Sequence, residues 1–179
     1  CEGHWAQMRR LARYLVGAPT LTSVYALKAF PRRVDVVVDA DWACSAMDRR
    51  STSGGIICAG GAYVCSWART QHVIALSSME SEYVAAVTGM QEGLFYQHVL
   101  EELGLVPMEP MRVSTDSSSA KANMEKLGLT ASRAKHMELR QAFAKDLVRE
   151  GIVSLQKVGT ASNAADMLTK PLPDALGKR

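Results

Sequence analysis

The residues in this sequence that could do chemistry are carboxylates standing where apolar segments end. Val34-Asp35-Val36-Val37-Val38 leads into Asp39 and then Asp41, two residues apart. Side chains alternate faces along a strand, so these two acids share a side if the strand persists through both. Met111-Arg112-Val113-Ser114-Thr115 leads in the same way into Asp116. An acid at the end of an apolar strand is costly unless it meets a cation, a donor or water. Two aspartates at neighbouring strand ends also repel each other. Hard oxygen ligands of this kind suit magnesium or manganese rather than zinc. The plainer explanation is that each acid marks a strand end and the turn beyond it.

Two more stretches offer acids. Ser77-Ser78-Met79-Glu80-Ser81-Glu82 opens a long helical pattern. Two residues along a helix turn about 200°, so Glu80 and Glu82 cannot share a role. Glu80 fits the reciprocal partner of Ser77 in a capping box. Glu82 lies on the side of Ala86, Gly89 and Gly93, small residues that leave room beside it, and is the candidate for the acid cluster. Asp166 reads by itself as the N3 acid of a short helix capped by Asn163.

The elements that must position these acids follow from periodicity and punctuation. His4 to Val16 is an amphipathic helix with Trp5, Met8, Ala12, Leu15 and Val16 on one face, stopped by Gly17-Ala18-Pro19. Ser23 to Ala29 reads as an extended connector. The valine run is a buried strand, too branched for a confident helix. A polar loop, Asp48 to Gly54, separates it from two apolar runs, Gly55 to Ala59 and Ala62 to Trp67. These flank Gly60-Gly61, a strong hairpin signal. That turn sets Cys58 opposite Tyr63 and Cys65 opposite Ile56. Thr70 to Leu76 adds extended chain. The long helix runs from about Ser77 to Leu103, with Tyr83, Val87, Met90 and Leu94 toward the sheet, and Gly104 ends it. The Asp116 strand, a helix to about Leu127, a helix over Lys135 to Arg149, a strand over Ile152 to Val158 and a short helix ending before Pro171 complete the order β-β-β-α-β-α-α-β-α. The long helix in the connection allows the Asp39 and Asp116 strands to lie parallel and adjacent. Ligands of open α/β sheets gather outside such carboxyl ends.

Composition narrows the class. The 179 residues suit one domain, and 47% hydrophobic with 22% charged residues is globular rather than disordered. With 21 basic and 18 acidic residues, any basic surface for nucleic acid must come from local clustering. No apolar run approaches the roughly 20 residues of a membrane span, so no membrane partner is expected. Cys1, Cys44, Cys58 and Cys65 form no C-x-x-C pair, which argues against a zinc site and for reduced thiols in an intracellular protein. A chain opening on Cys rather than Met reads as a fragment or a piece of a longer polyprotein.

Several stretches together carry a resemblance. Asp39-Ala40-Asp41-Trp42-Ala43, Asp48-Arg49-Arg50-Ser51-Thr52-Ser53-Gly54, Ser66-Trp67, Ala75-Leu76-Ser77-Ser78-Met79-Glu80-Ser81-Glu82-Tyr83, Thr115-Asp116-Ser117, Lys135-His136 and Ala165-Asp166-Met167-Leu168-Thr169-Lys170-Pro171-Leu172 stand in this order. They resemble the ribonuclease H domain of copia-type LTR retrotransposons. His4-Trp5 through Tyr14-Leu15 resembles the tail of the preceding reverse transcriptase region. The resemblance implies residues 1–30 as that tail and 31–179 as a ribonuclease H-like domain. It further implies an α/β fold with a five-stranded mixed sheet of order 3-2-1-4-5 flanked by helices. Its catalytic carboxylates fall on Asp39, Glu82, Asp116 and Asp166, with Asp41 outside the tetrad. Departures are Cys44 in place of the usual glycine, Ser117-Ser118 in place of Asn-Gln, and Ala68-Arg69-Thr70-Gln71 in place of Ser-Lys-Lys-Gln. No histidine lies between Val158 and Asp166, where many cellular ribonucleases H carry a proton-shuttling one.

The implied activity is hydrolysis of the RNA strand of an RNA–DNA hybrid, with two Mg2+ or Mn2+ ions held by the four acids. The implied partner is the reverse transcriptase of the same polyprotein, in a cytoplasmic virus-like particle if the element is active. Arg49, Arg50, Ser51, Arg69, Ser117, Lys121, Arg133, Lys135 and His136 are candidates for gripping nucleic acid. Each alone reads first as a solvated or structural side chain. Two rivals stand beside this reading: another nuclease or integrase of the same fold, disfavoured by the Asp-Glu-Asp-Asp order, and a catalytically idle domain that supports a reverse transcriptase.

Overall fold

The computed structural model describes residues 2–18, 20, 25, 32–105, 109–126 and 135–170. The Ser23 to Ala29 connector and Arg133 fall largely or wholly outside these. Helix α1 spans Glu2–Gly17, and its apolar side chains Trp5, Met8, Leu11, Leu15 and Val16 are exposed. Strand β1 (Val34–Asp41) follows, then β2 (Thr52–Ala59) and β3 (Ala62–Thr70). Helix α2 covers Ser78–Glu102, β4 Met111–Thr115, α3 Ser118–Glu125, α4 Lys135–Arg149, β5 Val153–Lys157 and α5 Asp166–Thr169. The strands form one sheet of order β3-β2-β1-β4-β5. Strands β1, β2 and β3 are antiparallel, while β4 runs parallel to β1 and β5 parallel to β4. This is the mixed sheet expected from the sequence.

The hairpin forms where both glycines take the left-handed region, at φ 59° for Gly60 and 81° for Gly61. That geometry matches the strand twist and is open to glycine without strain. The strands outrun their apolar cores, however. Thr52, Ser53 and Gly54, expected in a loop, are the first residues of β2, and β3 continues to Thr70. An irregularity between Ile57 and Cys58 shifts the ladder, so Cys65 faces Ile57 rather than Ile56. Strict alternation cannot anticipate such an extra residue.

Packing of α2 on the sheet positions the carboxyl end of β1. Val34, Val36 and Val38 point into the core with Tyr83, Val87 and Met90, as the helical spacing predicted. The glycines on this face serve close approach rather than an open space. A Cβ on Gly89 would lie 2.6 Å from Val38 Cγ1, and one on Gly93 2.2 Å from Met111 Sδ. At the far end of β1, Asp35 receives the guanidinium groups of Arg33 and Arg112, each at 2.8 Å. The two ends of the strand therefore differ electrostatically: Asp35 is paired with arginines, whereas Asp39 stands in a cluster of other acids.

Gly89→Ala tests the close approach. Alanine gains about 1 kcal/mol of helix propensity. The new methyl would meet fully buried valines of β1, and overpacking of that kind costs about 1–3 kcal/mol. The expected net result is a lower urea midpoint with an unchanged m value. A midpoint at or above that of the unsubstituted protein would mean that α2 is not seated as closely as described.

Candidate metal centre

Asp39, Glu82 and Asp116 come together at the carboxyl ends of β1 and β4. One carboxylate oxygen from each lies within 4.8 Å of the other two. Three different elements deliver them. Asp39 is the sixth residue of β1, pairs with Gly54 of β2 and is 1% exposed. Asp116 follows the last residue of β4. Glu82 is in the second turn of α2, buried at 6% exposure, and its Oε2 has no hydrogen-bond partner. Asp41, two residues beyond Asp39 on the same strand, stays outside this set.

The division between the two glutamates has a local cause. Ser77 caps α2 by accepting the Glu80 N–H at 3.1 Å. Glu80 returns its carboxylate to the Leu76 N–H at 2.7 Å. The capping residue is as expected, but the acid reaches the amide before Ser77, not that of Ser77 itself. Glu80 is thereby committed at the helix entry, and Glu82 is turned toward the acids.

Asp166 approaches from the other side. It opens α5, next to Asp39, but is not in the three-acid set. Its Oδ1 pairs with Lys170 Nζ at 3.0 Å, and the same ammonium lies 3.8 Å from Asp39 Oδ2. Thr169 donates its hydroxyl to Asp39 Oδ2. The expected Asn163 cap does not form on α5. Asn163 Oδ1 instead accepts the Ala165 N–H at 3.1 Å, and Nδ2 donates to the Val38 carbonyl at 3.1 Å. The amide thus ties the turn before Asp166 to the strand that carries Asp39.

The electrostatics follow from burial and crowding. Burial pushes Glu82 from 4.5 up to about 8, with Asp39 and Asp116 adding to the rise and Ala40 and Lys170 opposing it. Asp39 is also raised, by burial first and by Asp166, against the Thr169 hydroxyl and Lys170. Lys170 is itself held above its ordinary value. Burial lowers it, but Asp166, Asp39 and Asp116 outweigh that. The donors are all carboxylate oxygens, and two of them, Glu82 Oε2 and Asp166 Oδ1, are buried without a hydrogen-bond partner, the second meeting Lys170 as an ion pair. Such a set fits a divalent cation of the hard class.

The basic and polar candidates are placed unevenly. Arg49 and Arg50 are in the β1–β2 loop, where Arg49 has φ 57° and Arg50 meets Asp48 at 3.3 Å in an exposed pair. Ser51 was a candidate for nucleic-acid contact, but it is fully buried. Its Oγ accepts the Ala43 N–H at 3.0 Å and its carbonyl accepts the Gln71 N–H. Ser51 therefore shapes the loop from inside. Arg69 pairs with Glu92 of α2 at 2.6 Å, and Lys121 with Glu125 at 2.5 Å. Ser117 caps α3 by accepting the Ala120 N–H at 3.2 Å. Lys135 and His136 open α4.

Sequence reasoning assigned no role to Thr169, Lys170 or Gln71, and gave Asn163 only that of a helix cap. Buried Gln71 donates to Ser53 Oγ at 2.8 Å and to the Ser81 carbonyl at 2.9 Å. It joins the residue beside Gly54 to the residue beside Glu82. Thr169, Lys170 and Gln71 lie in the stretches quoted above, and Asn163 stands two residues before the last of them. Their signal is a polar type amid apolar neighbours, which does not say where the partner lies.

Sheet order, strand directions and helix placement define a ribonuclease H-like fold. Among solved structures, LC11-RNase H1, isolated from compost, superposes with a TM-score of 0.57 at 15% identity, covering 77% of this chain and 93% of that one. The same enzyme in complex with an RNA/DNA hybrid superposes with a TM-score of 0.54 at 16% identity, covering 76% and 94%. Among curated sequences, the retrovirus-related Pol polyprotein from transposon TNT 1-94 of Nicotiana tabacum is 31% identical over 170 residues. That match covers 95% of this chain and 12% of the polyprotein. The corresponding polyprotein from transposon RE2 of Arabidopsis thaliana is 31% identical over 175 residues, 96% of this chain and 12% of its own length. No family model matches the chain. The chain belongs with the copia-type retrotransposon Pol polyproteins, as a ribonuclease H-like segment that spans only a small part of their length.

Glu82 gives the site a pH signature in metal-free protein. Its folded value stands above its unfolded 4.5, so the folded state holds the proton more tightly. That contribution is fully present below pH 4.5 and is lost as pH rises through about 8. Thermal melts in chelator should therefore show Glu82→Gln gaining on the unsubstituted protein as pH rises through this window. Parallel stability curves would remove Glu82 from the buried cluster.

Proposed function

We propose that this chain is a ribonuclease H that cuts the RNA strand of RNA–DNA hybrids during retrotransposon reverse transcription. The observation that carries the reading is the meeting of Asp39, Glu82 and Asp116 within 4.8 Å, with one buried oxygen unpartnered, on a ribonuclease H-like sheet. Asp39, Glu82, Asp116 and Asp166 would hold two Mg2+ or Mn2+ ions. Bound there, such ions supply an activated water and stabilisation of the leaving 3′ oxygen in an in-line displacement. The protein's own part is placement. Asn163 and Gln71 fix the segments bearing Asp166 and Glu82, and Thr169 orients Asp39 through its hydroxyl.

The reading assigns residues 31–179 to the nuclease domain and 1–30 to the tail of the preceding reverse transcriptase region. The exposed apolar face of α1 is consistent with that division. The reverse transcriptase of the same polyprotein is then the protein partner, inside the cell in a particle. Among the described residues no helix is long and apolar enough to cross a membrane.

The decisive assay compares cleavage of an RNA–DNA hybrid, duplex DNA and duplex RNA with and without magnesium. Cleavage of the hybrid's RNA strand alone, dependent on the metal, is expected. Asp116→Asn should abolish it while leaving the metal-free melting temperature unchanged or higher, because one of two negative neighbours of Glu82 is neutralised. A fully active Asp116→Asn would sink the mechanism. An inactive chain that still binds and stabilises a reverse transcriptase would favour the idle-domain alternative.

Hybrid recognition makes a separate demand. The 2′-hydroxyls of the RNA strand lie in the minor groove, and backbone phosphates dominate affinity. The Arg49–Arg50 loop follows the Asp39 strand, and its pairing with Asp48 is exposed and weak. Replacing both arginines by alanine should lower the slope of log affinity against log salt by roughly 1 to 2 units. Magnesium affinity should barely move. An unchanged slope returns this loop to a solvated turn.

A further inference from the structure

We propose that Lys170 is a built-in counter-ion of the acid cluster, which occupies the cationic position beside Asp39 and Asp166 in metal-free protein and gives it up when divalent cations load. The inference rests on the metal-site reading above and adds to it a residue that competes with the metal. Three observations carry it. Lys170 Nζ is 3.0 Å from Asp166 Oδ1 and 3.8 Å from Asp39 Oδ2, so one ammonium bridges acids from the first strand and the last helix. Asp166, which it holds, is the acid missing from the close set of Asp39, Glu82 and Asp116. Glu82 Oε2 is buried with no hydrogen-bond partner, and Asp166 Oδ1 meets the ammonium only as an ion pair, so the single ammonium does not satisfy the whole cluster.

The geometry of α5 makes the exchange feasible. Lys170 is the C-cap of α5, four residues after Asp166, with extended backbone that leaves its ammonium against the Asp166 carboxylate. The lysine side chain is 37% exposed, whereas the Asp39 side chain beneath it is 2% exposed. The flexible stem can therefore carry the charge outward to water while the carboxylate stays in place. Once Lys170 leaves, Asp166 is free to turn toward the other three acids. A monovalent ammonium thus keeps the crowded acids compatible with folding. It also weakens metal binding, because loading must displace it.

The test uses the whole chain and reads binding, not turnover. Magnesium and manganese are titrated calorimetrically into the unsubstituted protein, Lys170→Gln and Lys170→Arg, with melting temperatures taken in chelator and in saturating metal. Lys170→Gln should bind metal more tightly, on the order of tenfold for loss of one partly screened positive charge beside the acids. It should also melt lower in chelator and gain more from metal. Lys170→Arg should restore both values toward those of the unsubstituted protein.

A second measurement needs no variant. Reductive methylation of the unsubstituted protein, followed by peptide mass spectrometry, should label Lys170 faster with magnesium than in chelator. Lys170→Gln with unchanged or weaker metal affinity, or Lys170 labelling that magnesium leaves unchanged or slows, overturns the proposal. Weaker hybrid binding without any change in metal affinity would make Lys170 a phosphate contact instead and also overturn it. If the unsubstituted protein binds neither metal, the metal-site reading falls and this inference with it. Metal binding that is indifferent to Lys170 sinks this inference alone.

Discussion

Two nearly inaccessible carboxylates, Asp39 and Glu82, lie beside each other at the carboxyl end of β1, and much of the surrounding structure is arranged around that cost. A buried charge must be paired, neutralised or bound to a cation. Here the options are divided. Asp39 receives a hydroxyl and an ammonium from α5, whereas Glu82 is pushed toward its protonated form. The acids are kept together because the segments bearing them are over-determined elsewhere. Gly89 and Gly93 let α2 descend onto Val36, Val38 and Met111, and Gln71 bonds β2 to the first turn of the same helix. The electrostatic strain at the site is held by apolar packing and hydrogen bonds a few ångströms away.

The same constraint explains why Glu80 and Glu82 differ despite their proximity. A carboxylate at N3 finds a backbone N–H at the helix entry, an interaction available without any tertiary partner. The acid two residues later is rotated by about 200° and must find its environment across the sheet. Local geometry thus fixes one glutamate as structural and leaves the other to the cluster. Asp39 and Asp41 show the strand counterpart. They belong to one strand and share a parity, yet the first is covered by β2 and α5 whereas the second is at the strand's end and half-buried.

How far the sequence disclosed this depended on the range of each interaction. The valine strand, the Gly60-Gly61 hairpin, the Ser77 cap and the order of strands are local signals or follow from connection lengths, and they appear in the fold. The register of Cys65 depends on an irregularity at Ile57 and Cys58 that no alternation rule contains. Ser51, in a stretch of polar residues, reads as surface but is fully buried because the loop folds back over its hydroxyl. Asn163 has the right type for a helix cap, yet half of its bonding goes to Val38, 125 positions earlier in the chain. Such partners become visible only once the sheet has brought β1 beside the last turn.

The fourth acid is the most conditional part of the site. Helix α5 has four residues, too few to be stable on its own. Its place is set by what it lands on. Gly54 stands opposite Asp39 on β2, and a Cβ there would lie 2.8 Å from Thr169 Cγ2 and 2.9 Å from Leu168 Cβ. A glycine that reads from the sequence as the end of a polar loop is in fact the floor on which α5 rests. The bare backbone at that point lets Thr169 and Lys170 reach Asp39, and Asn163 closes the arrangement from the other end. Asp166 therefore depends on a strand glycine, an asparagine and a hydroxyl, none of them acidic. The carboxyl ends of β1 and β4 set three acids by sheet and helix packing alone, while the approach of the fourth is decided by side chains on a single turn.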